Sequence, residues 1–186
     1  MAAISAKDVQ ELRKSTGAGM MDAKRALTDA DGDFEAAAQI LREKGLAKAL
    51  TRTDRENTEG VIAIARSDRG AALVQLKSET DFSAKSDQFQ AMAQELADLV
   101  LAKGVDAVSE KGAALEDLKL EIKENIEIGT VSRIEARDGH LIDAYLHGGG
   151  RAGVLIEASG VDADTLHEIA LHVAFAKPRY LARDEV

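Results

Sequence analysis

The tightest constraint in this chain is the short spacing between its β-rich runs. Gly60 to Arg66 and Ala71 to Lys77 are joined by Ser67-Asp68-Arg69-Gly70. Further on come Thr130 to Ala136, Leu141 to His147 and Ala152 to Ser159, with Asp138-Gly139 after the first and Gly148-Gly149-Gly150 after the second. Connections this short suit antiparallel hairpins, because a parallel crossover needs a dozen or more residues. Asp-Gly is among the strongest short-range hairpin signals, so the first two of these later runs are expected to pair. Helical segments interrupt the strands without alternating with them. The expected class is therefore α+β, an antiparallel core with packed helices.

Ahead of the strands the sequence reads as three short helices. In Asp8 to Lys14, Val9 and Leu12 fall on one face, and Thr16-Gly17-Ala18-Gly19 breaks the helix. Ala23, Ala26, Leu27 and Ala30 mark a second helix from about Met21. Asp31-Gly32-Asp33 ends it and caps a third, Phe34 to Lys44, expected to stop at Gly45, with the polar Ala47 to Glu59 read as a helical extension or a linker. Within the later part, Phe89, Met92, Ala93, Leu96, Leu99 and Val100 trace one helix face ended by Gly104. Leu115, Leu118, Ile122 and Ile126 mark another, closed by Gly129, and Leu166, Ile169, Ala170 and Val173 face inward from a last one. Lys177-Pro178 stops that helix. The expected division is a three-helix module over 1–52, a linker over 53–59 and a core over 60–186. The core itself divides into 60–140 and part of a second subdomain, 141–186.

Charge follows the same division. Residues up to Arg52 carry a net +1, which leaves -10 for the rest of a chain whose total is -9. That balance argues against a nucleic-acid binder working by phosphate neutralisation. No apolar run approaches the ~20 residues that span a bilayer, so no membrane is expected. Met1 to Lys7 lacks the basic and apolar regions of a secretory signal. The chain has no Cys; with the missing signal, a cytoplasmic location is expected.

Motifs for catalysis are weak. Gly148-x-Gly150-x-x-Gly153 has the spacing of a dinucleotide fingerprint, but Val154-Leu155-Ile156 after it reads as a strand, where the fingerprint needs a helix. His167 and His172 are five apart, so on a helix they diverge by about 140°, unlike a zinc-protease pair. Asp29, Asp31 and Asp33 do not continue into a calcium loop, and capping explains Asp33 better. No nucleophile elbow is present. The expectation is no catalytic residue, no metal site and no cofactor.

Two features resist a purely structural account. One is the Met20-Met21 pair beside the glycine turn, since Met suits adaptable binding surfaces as well as small cores. Adjacent helical residues point about 100° apart, so Met20 is the less suited of the two to the core. The other is Phe82 in Ser78-Glu79-Thr80-Asp81-Phe82-Ser83-Ala84-Lys85, at a strand-to-helix corner. It lies seven residues before Phe89 and could extend that helix face into the core, or it could be a contact.

Thr16-Gly17-Ala18-Gly19-Met20-Met21-Asp22, Lys24-Arg25-Ala26-Leu27 and Thr80-Asp81-Phe82-x-Ala84-Lys85 together resemble elongation factor Ts. So do His147 before a glycine turn, Gly153-Val154-Leu155, His172-Val173-Ala174 and Lys177-Pro178. The resemblance implies a ubiquitin-associated-like three-helix module followed by an α+β core. It implies a guanine-nucleotide exchange factor for elongation factor Tu, in its GDP-bound and nucleotide-free forms, with no bond chemistry. Leu12, Met20 and Met21 would dock on the partner's nucleotide-binding domain, and His147 would be a further contact. Thr80, Asp81, Phe82 and Ser83 would displace the partner's magnesium ion. Ser83 stands where relatives usually carry an apolar β-branched residue. Many relatives continue past the Lys-Pro helix into a coiled-coil hairpin and a closing strand and helix, so the resemblance implies a short or C-terminally truncated form. The alternative, from another class, is an adaptor that binds a GTPase without exchange; an enzyme using surface carboxylates is a distant third.

Overall fold

The computed structural model describes residues 4–180 and 183–185. Three helices precede an antiparallel β core, so the class is α+β. The chain divides into two compact units. One holds the residues up to Arg55 together with Glu116–Asn125, and the other holds Glu56–Leu115 and the residues from Ile126 onward.

In the first unit, α1 (Ala6–Thr16) starts on a reciprocal cap: Ser5 accepts from the Asp8 amide while the Asp8 carboxylate accepts from the Ser5 amide. It ends on Gly17 at φ 65, a left-handed cap. α2 (Met20–Asp29) starts at Gly19 with no side-chain cap. α3 (Phe34–Leu50) is capped by Asp33, whose carboxylate accepts from the Ala36 amide. Val9, Leu12, Ala23, Ala26, Leu27 and Ala37 form the core, with Ile40 and Leu41 packed at its margin. So many alanines let the helix backbones approach closely.

α3 runs five residues past its expected stop at Gly45. A Cβ on Gly45 would lie 2.9 Å from Leu120 Cδ2, so this glycine makes room for a neighbour within the helix and is not its cap. Leu120 belongs to α6 (Gly112–Ile122), whose later part returns to the first unit. Arg42 pairs with Asp117 at 2.7 Å, and Lys123 Nζ donates to the Gly17 carbonyl at 3.3 Å. Asn125, 5 % exposed, donates to the Arg55 carbonyl at 2.7 Å. α6 itself ends at Ile122, with Lys123 at φ 66. Ile126 is buried beyond the helix, and Gly129, expected to close the helix, lies inside a strand.

The second unit is built on a three-stranded antiparallel sheet of order β1 (Glu59–Arg66), β2 (Gly70–Ser78), β3 (Glu127–Glu135). β2 is central and buried almost throughout. α5 (Asp87–Lys103) packs on β1 and β2 through Phe89, Ala93, Leu96, Ala97 and Val100. A 3-10 segment, Val105–Lys111, fills the stretch that lacks periodicity. β4 (His140–His147) and β5 (Ala152–Ser159) make a separate two-stranded sheet, covered by α7 (Ala163–Ala176) through Leu166, Ala170 and Ala174. Ile169, expected inward, is 39 % exposed.

The Asp138-Gly139 turn forms, with the His140 amide donating to the Arg137 carbonyl at 3.0 Å, but its flanking strands do not pair. β3 completes the first sheet and β4 begins the second. Each flanking strand has another partner, β3 the buried β2 and β4 its glycine-hairpin neighbour β5, and Arg137 in the turn is held through its amide and guanidinium by Glu157 of β5 at 2.9–3.0 Å. This clamp ties the turn to β5. Gly148, Gly149 and Gly150 all take positive φ in the β4–β5 hairpin, as its glycines allow. None of the described helices is long and apolar enough to cross a membrane.

Candidate functional site

The corner between β2 and α5 is built from its own polar residues. Ser78 is fully buried, and its hydroxyl donates to the Thr80 carbonyl at 3.0 Å, which turns the chain as the sheet ends. Thr80 then caps α4 (Asp81–Ala84), its hydroxyl accepting from the Ser83 amide at 3.3 Å. Ala84 is buried, and Ser86 Oγ donates to the Ser83 carbonyl at 2.8 Å. Lys85 Nζ lies 2.5 Å from Asp81 Oδ2, an i,i+4 pair closing the turn on its solvent side. The hydrogen bond from the Lys85 ammonium, against a smaller opposing effect of desolvation and with help from its charge, holds the Asp81 carboxyl below its usual range.

These contacts fix a single helical turn, and Phe82 stands on it 83 % exposed. Of the two readings of Phe82, core and contact, this geometry supports contact. α4 and α5 are separate helices, so the seven-residue spacing to Phe89 does not carry one continuous face; Phe89 is fully buried. Ser83 is half-buried, with its hydroxyl 3.3 Å from Thr80 Oγ1, so here a polar contact within the cap occupies that position.

His147 sits at the end of β4, exposed, beside the glycine hairpin. The hairpin is seated on β1: the Ile62 amide donates to the Gly150 carbonyl at 2.8 Å, and a Cβ on Gly150 would lie 2.5 Å from Val61 Cγ2. Ser78 pairs with Glu59 at the start of β1, so the Phe82 corner and the His147 hairpin both attach near that end of the sheet. Two loops that lie far apart in sequence are thus both anchored on β1.

In the first unit, the turn between α1 and α2 carries Met20, 53 % exposed, and Met21, 68 % exposed. An open groove of about 690 Å³ beside them is lined by Gln10, Arg13, Lys14, Gly17, Ala18, Gly19, Met20 and Lys123. Leu12 departs from the expectation of a surface contact. It is 0 % exposed, inside the three-helix core, and its carbonyl accepts from Ser15 Oγ and Thr16 Oγ1. A buried leucine cannot meet a partner in this conformation; it braces the turn from below.

Among the described residues, no group of three or more His, Cys, Asp or Glu is placed to hold a metal ion. Sequence reasoning missed the Asp81–Lys85 pair, although its i,i+4 spacing was a readable signal. It also missed Lys123, whose contact with Gly17 spans most of the chain and leaves no local trace.

From Glu79 onward, residues 79–186 match the family described as Elongation factor TS, a match that begins at the Phe82 corner itself. The chain belongs to the elongation factor Ts family. Two similar curated proteins carry the name Elongation factor Ts. One is from Lactococcus lactis subsp. lactis (strain IL1403), 43 % identical over 196 aligned positions, covering 99 % of this chain and 57 % of that protein. The other is from Lactococcus lactis subsp. cremoris (strain MG1363), 43 % identical over 195 positions with the same coverage. The chain thus spans 57 % of the length of these elongation factor Ts relatives.

Proposed function

We propose that this chain is a guanine-nucleotide exchange factor that binds elongation factor Tu·GDP and promotes GDP release during translation elongation. The observation that carries the reading is Phe82, a large apolar ring presented to solvent on a capped, ion-paired turn. An aromatic residue in that state contributes little to folding, whereas it suits insertion between elements of a partner.

The proposed mechanism divides the work. Met20 and Met21 dock on the nucleotide-binding domain, with Leu12 supporting them from within. His147 adds a second contact. Thr80 to Ser83 carry Phe82 toward the partner's magnesium site, where its insertion separates the ion from its ligands. GDP is held on such GTPases through phosphate-cradling backbone and the metal, so losing the metal loosens the nucleotide. Linkage requires reciprocity: a factor that binds the nucleotide-free partner more tightly lowers nucleotide affinity by the same ratio. No bond is made or broken, so the proposal needs no catalytic group. A role in translation elongation belongs to the cytoplasm.

Release of labelled GDP from elongation factor Tu tests the reading. Catalytic amounts of the chain should accelerate release, and Phe82→Ala should abolish most of that acceleration. Binding without faster release would mark an adaptor and end the exchange reading.

A further inference from the structure

His147 is exposed, yet its ring is held in place. Asp143, Tyr145 and His147 alternate along β4, so their side chains line one face of the strand. Asp143, at the start of this row, is only 8 % exposed. Arg66 Nη2 lies 3.1 Å from its Oδ1, and His167 Nδ1 lies 2.9 Å from its Oδ2. The His167 ring meets the Tyr145 ring nearly edge-on, with centroids 5.8 Å apart at 85°. Tyr145 also packs on the Val154, Ala170 and Ala174 cluster beneath α7. A ring pinned from two directions has a fixed hydroxyl, and that hydroxyl lies 3.0 Å from His147 Nδ1.

A phenol can donate or accept, while a neutral imidazole has one nitrogen of each kind. We propose that Tyr145 is a positioning residue for His147: its O–H donates to Nδ1 and selects the tautomer with hydrogen on Nε2. His147 is then presented as a hydrogen-bond donor, and the group it meets is an acceptor oxygen, a carbonyl or carboxylate. What His147 meets rests on the exchange-factor reading; how its ring is held does not.

Two measurements separate those claims. On the free full chain, nitrogen-15 NMR of the His147 ring reports which nitrogen carries the proton. One dominant neutral tautomer, Nε2–H, is expected. Tyr145→Phe keeps the packed ring and removes the hydroxyl, so the signals should move toward a tautomer mixture while the melting temperature stays close to wild type. Unmoved ring-nitrogen signals, or an Nδ1–H tautomer in the wild type, overturn the inference. The second measurement is stimulated GDP release from elongation factor Tu. Tyr145→Phe should slow it about two- to tenfold, the span of one lost hydrogen bond. Joined to His147→Ala it should add nothing. An equal slowing in the His147→Ala background would show Tyr145 acting on its own, which overturns the positioning role. If the wild-type chain fails to accelerate release at all, the exchange reading falls, and the NMR result alone decides the tautomer.

Discussion

At the scale of single residues, Phe82 and Phe89 make opposite predictions from the same chemistry. Phe89→Ala removes a fully buried ring and should cost about 3–5 kcal/mol of stability, read by denaturant unfolding. Phe82→Ala removes an 83 % exposed ring and should cost well under about 1 kcal/mol. GDP release should respond in the reverse order, falling for Phe82→Ala and holding for any Phe89 variant that still folds. Asp81→Asn leaves Lys85 without its ion pair and should loosen the turn beneath Phe82. Its defect in release should be smaller than that of Phe82→Ala, because the proposed displacement is steric. A larger defect would move the work from the ring to the carboxylate. The sequence left Phe82 between core and contact because periodicity cannot reveal a break that a buried Ser78 and a Thr80 cap create. Leu12 shows the converse: helical spacing alone put it on an inward face, and only the resemblance moved it to a surface.

At the scale of elements, the α1–α2 turn and the β4–β5 hairpin respond to different changes. Met20→Asp places a charge in the proposed apolar contact, so affinity for elongation factor Tu should fall at least tenfold with little change in melting temperature. A collapse of the melting temperature would make Met20 a folding residue and remove it from the docking surface. Gly150→Ala meets two penalties, a positive φ of 94 and a Cβ 2.5 Å from Val61 Cγ2. It should destabilise the second unit by about 2 kcal/mol or more. The Arg137–Glu157 clamp makes a pH prediction. Hydrogen bonds from Arg137 lower the Glu157 carboxyl from 4.5 to about 2 in the folded chain. Its stabilising contribution is therefore complete above about pH 4.5 and is lost as pH falls toward 2. Arg137→Gln should flatten that part of the stability profile measured by urea unfolding. The hairpin signal at Asp138-Gly139, beside this clamp, predicted a turn correctly and a pairing wrongly. Turn chemistry is local, whereas the choice of sheet rests on whole ladders, β3 along β2 and β4 along β5.

For the whole molecule, elements were legible and their grouping less so. Among the described residues the strands, α1, α2, α5 and α7 lie close to where alternation, helical spacing and glycine placed them, while α3 runs past Gly45 and α6 ends short of Gly129. The contribution of residues 116–125 to the first unit was invisible, because nothing in α6 marks which unit its apolar side will join. This has a testable result. A fragment ending at Arg55 lacks the Arg42–Asp117 pair, the Leu120 contact at Gly45 and the Lys123 bond to Gly17. It should melt below the first unit in the full chain. Adding residues 116–125 through a flexible linker should recover much of the difference in a circular-dichroism melt. Neither fragment should accelerate GDP release, since both lack Phe82.

The return of α6 to the first unit also orders events during synthesis. The three N-terminal helices emerge early, but the side chains that complete their unit follow residues 56–115. At ~5–20 residues per second, those 60 intervening residues delay completion by about 3–12 s. Through that interval a nascent chain shows the α1–α2 turn without its Lys123 brace. Protection of the Gly17–Met21 amides in stalled chains should therefore rise in a second step, after residue 125 clears the ribosome.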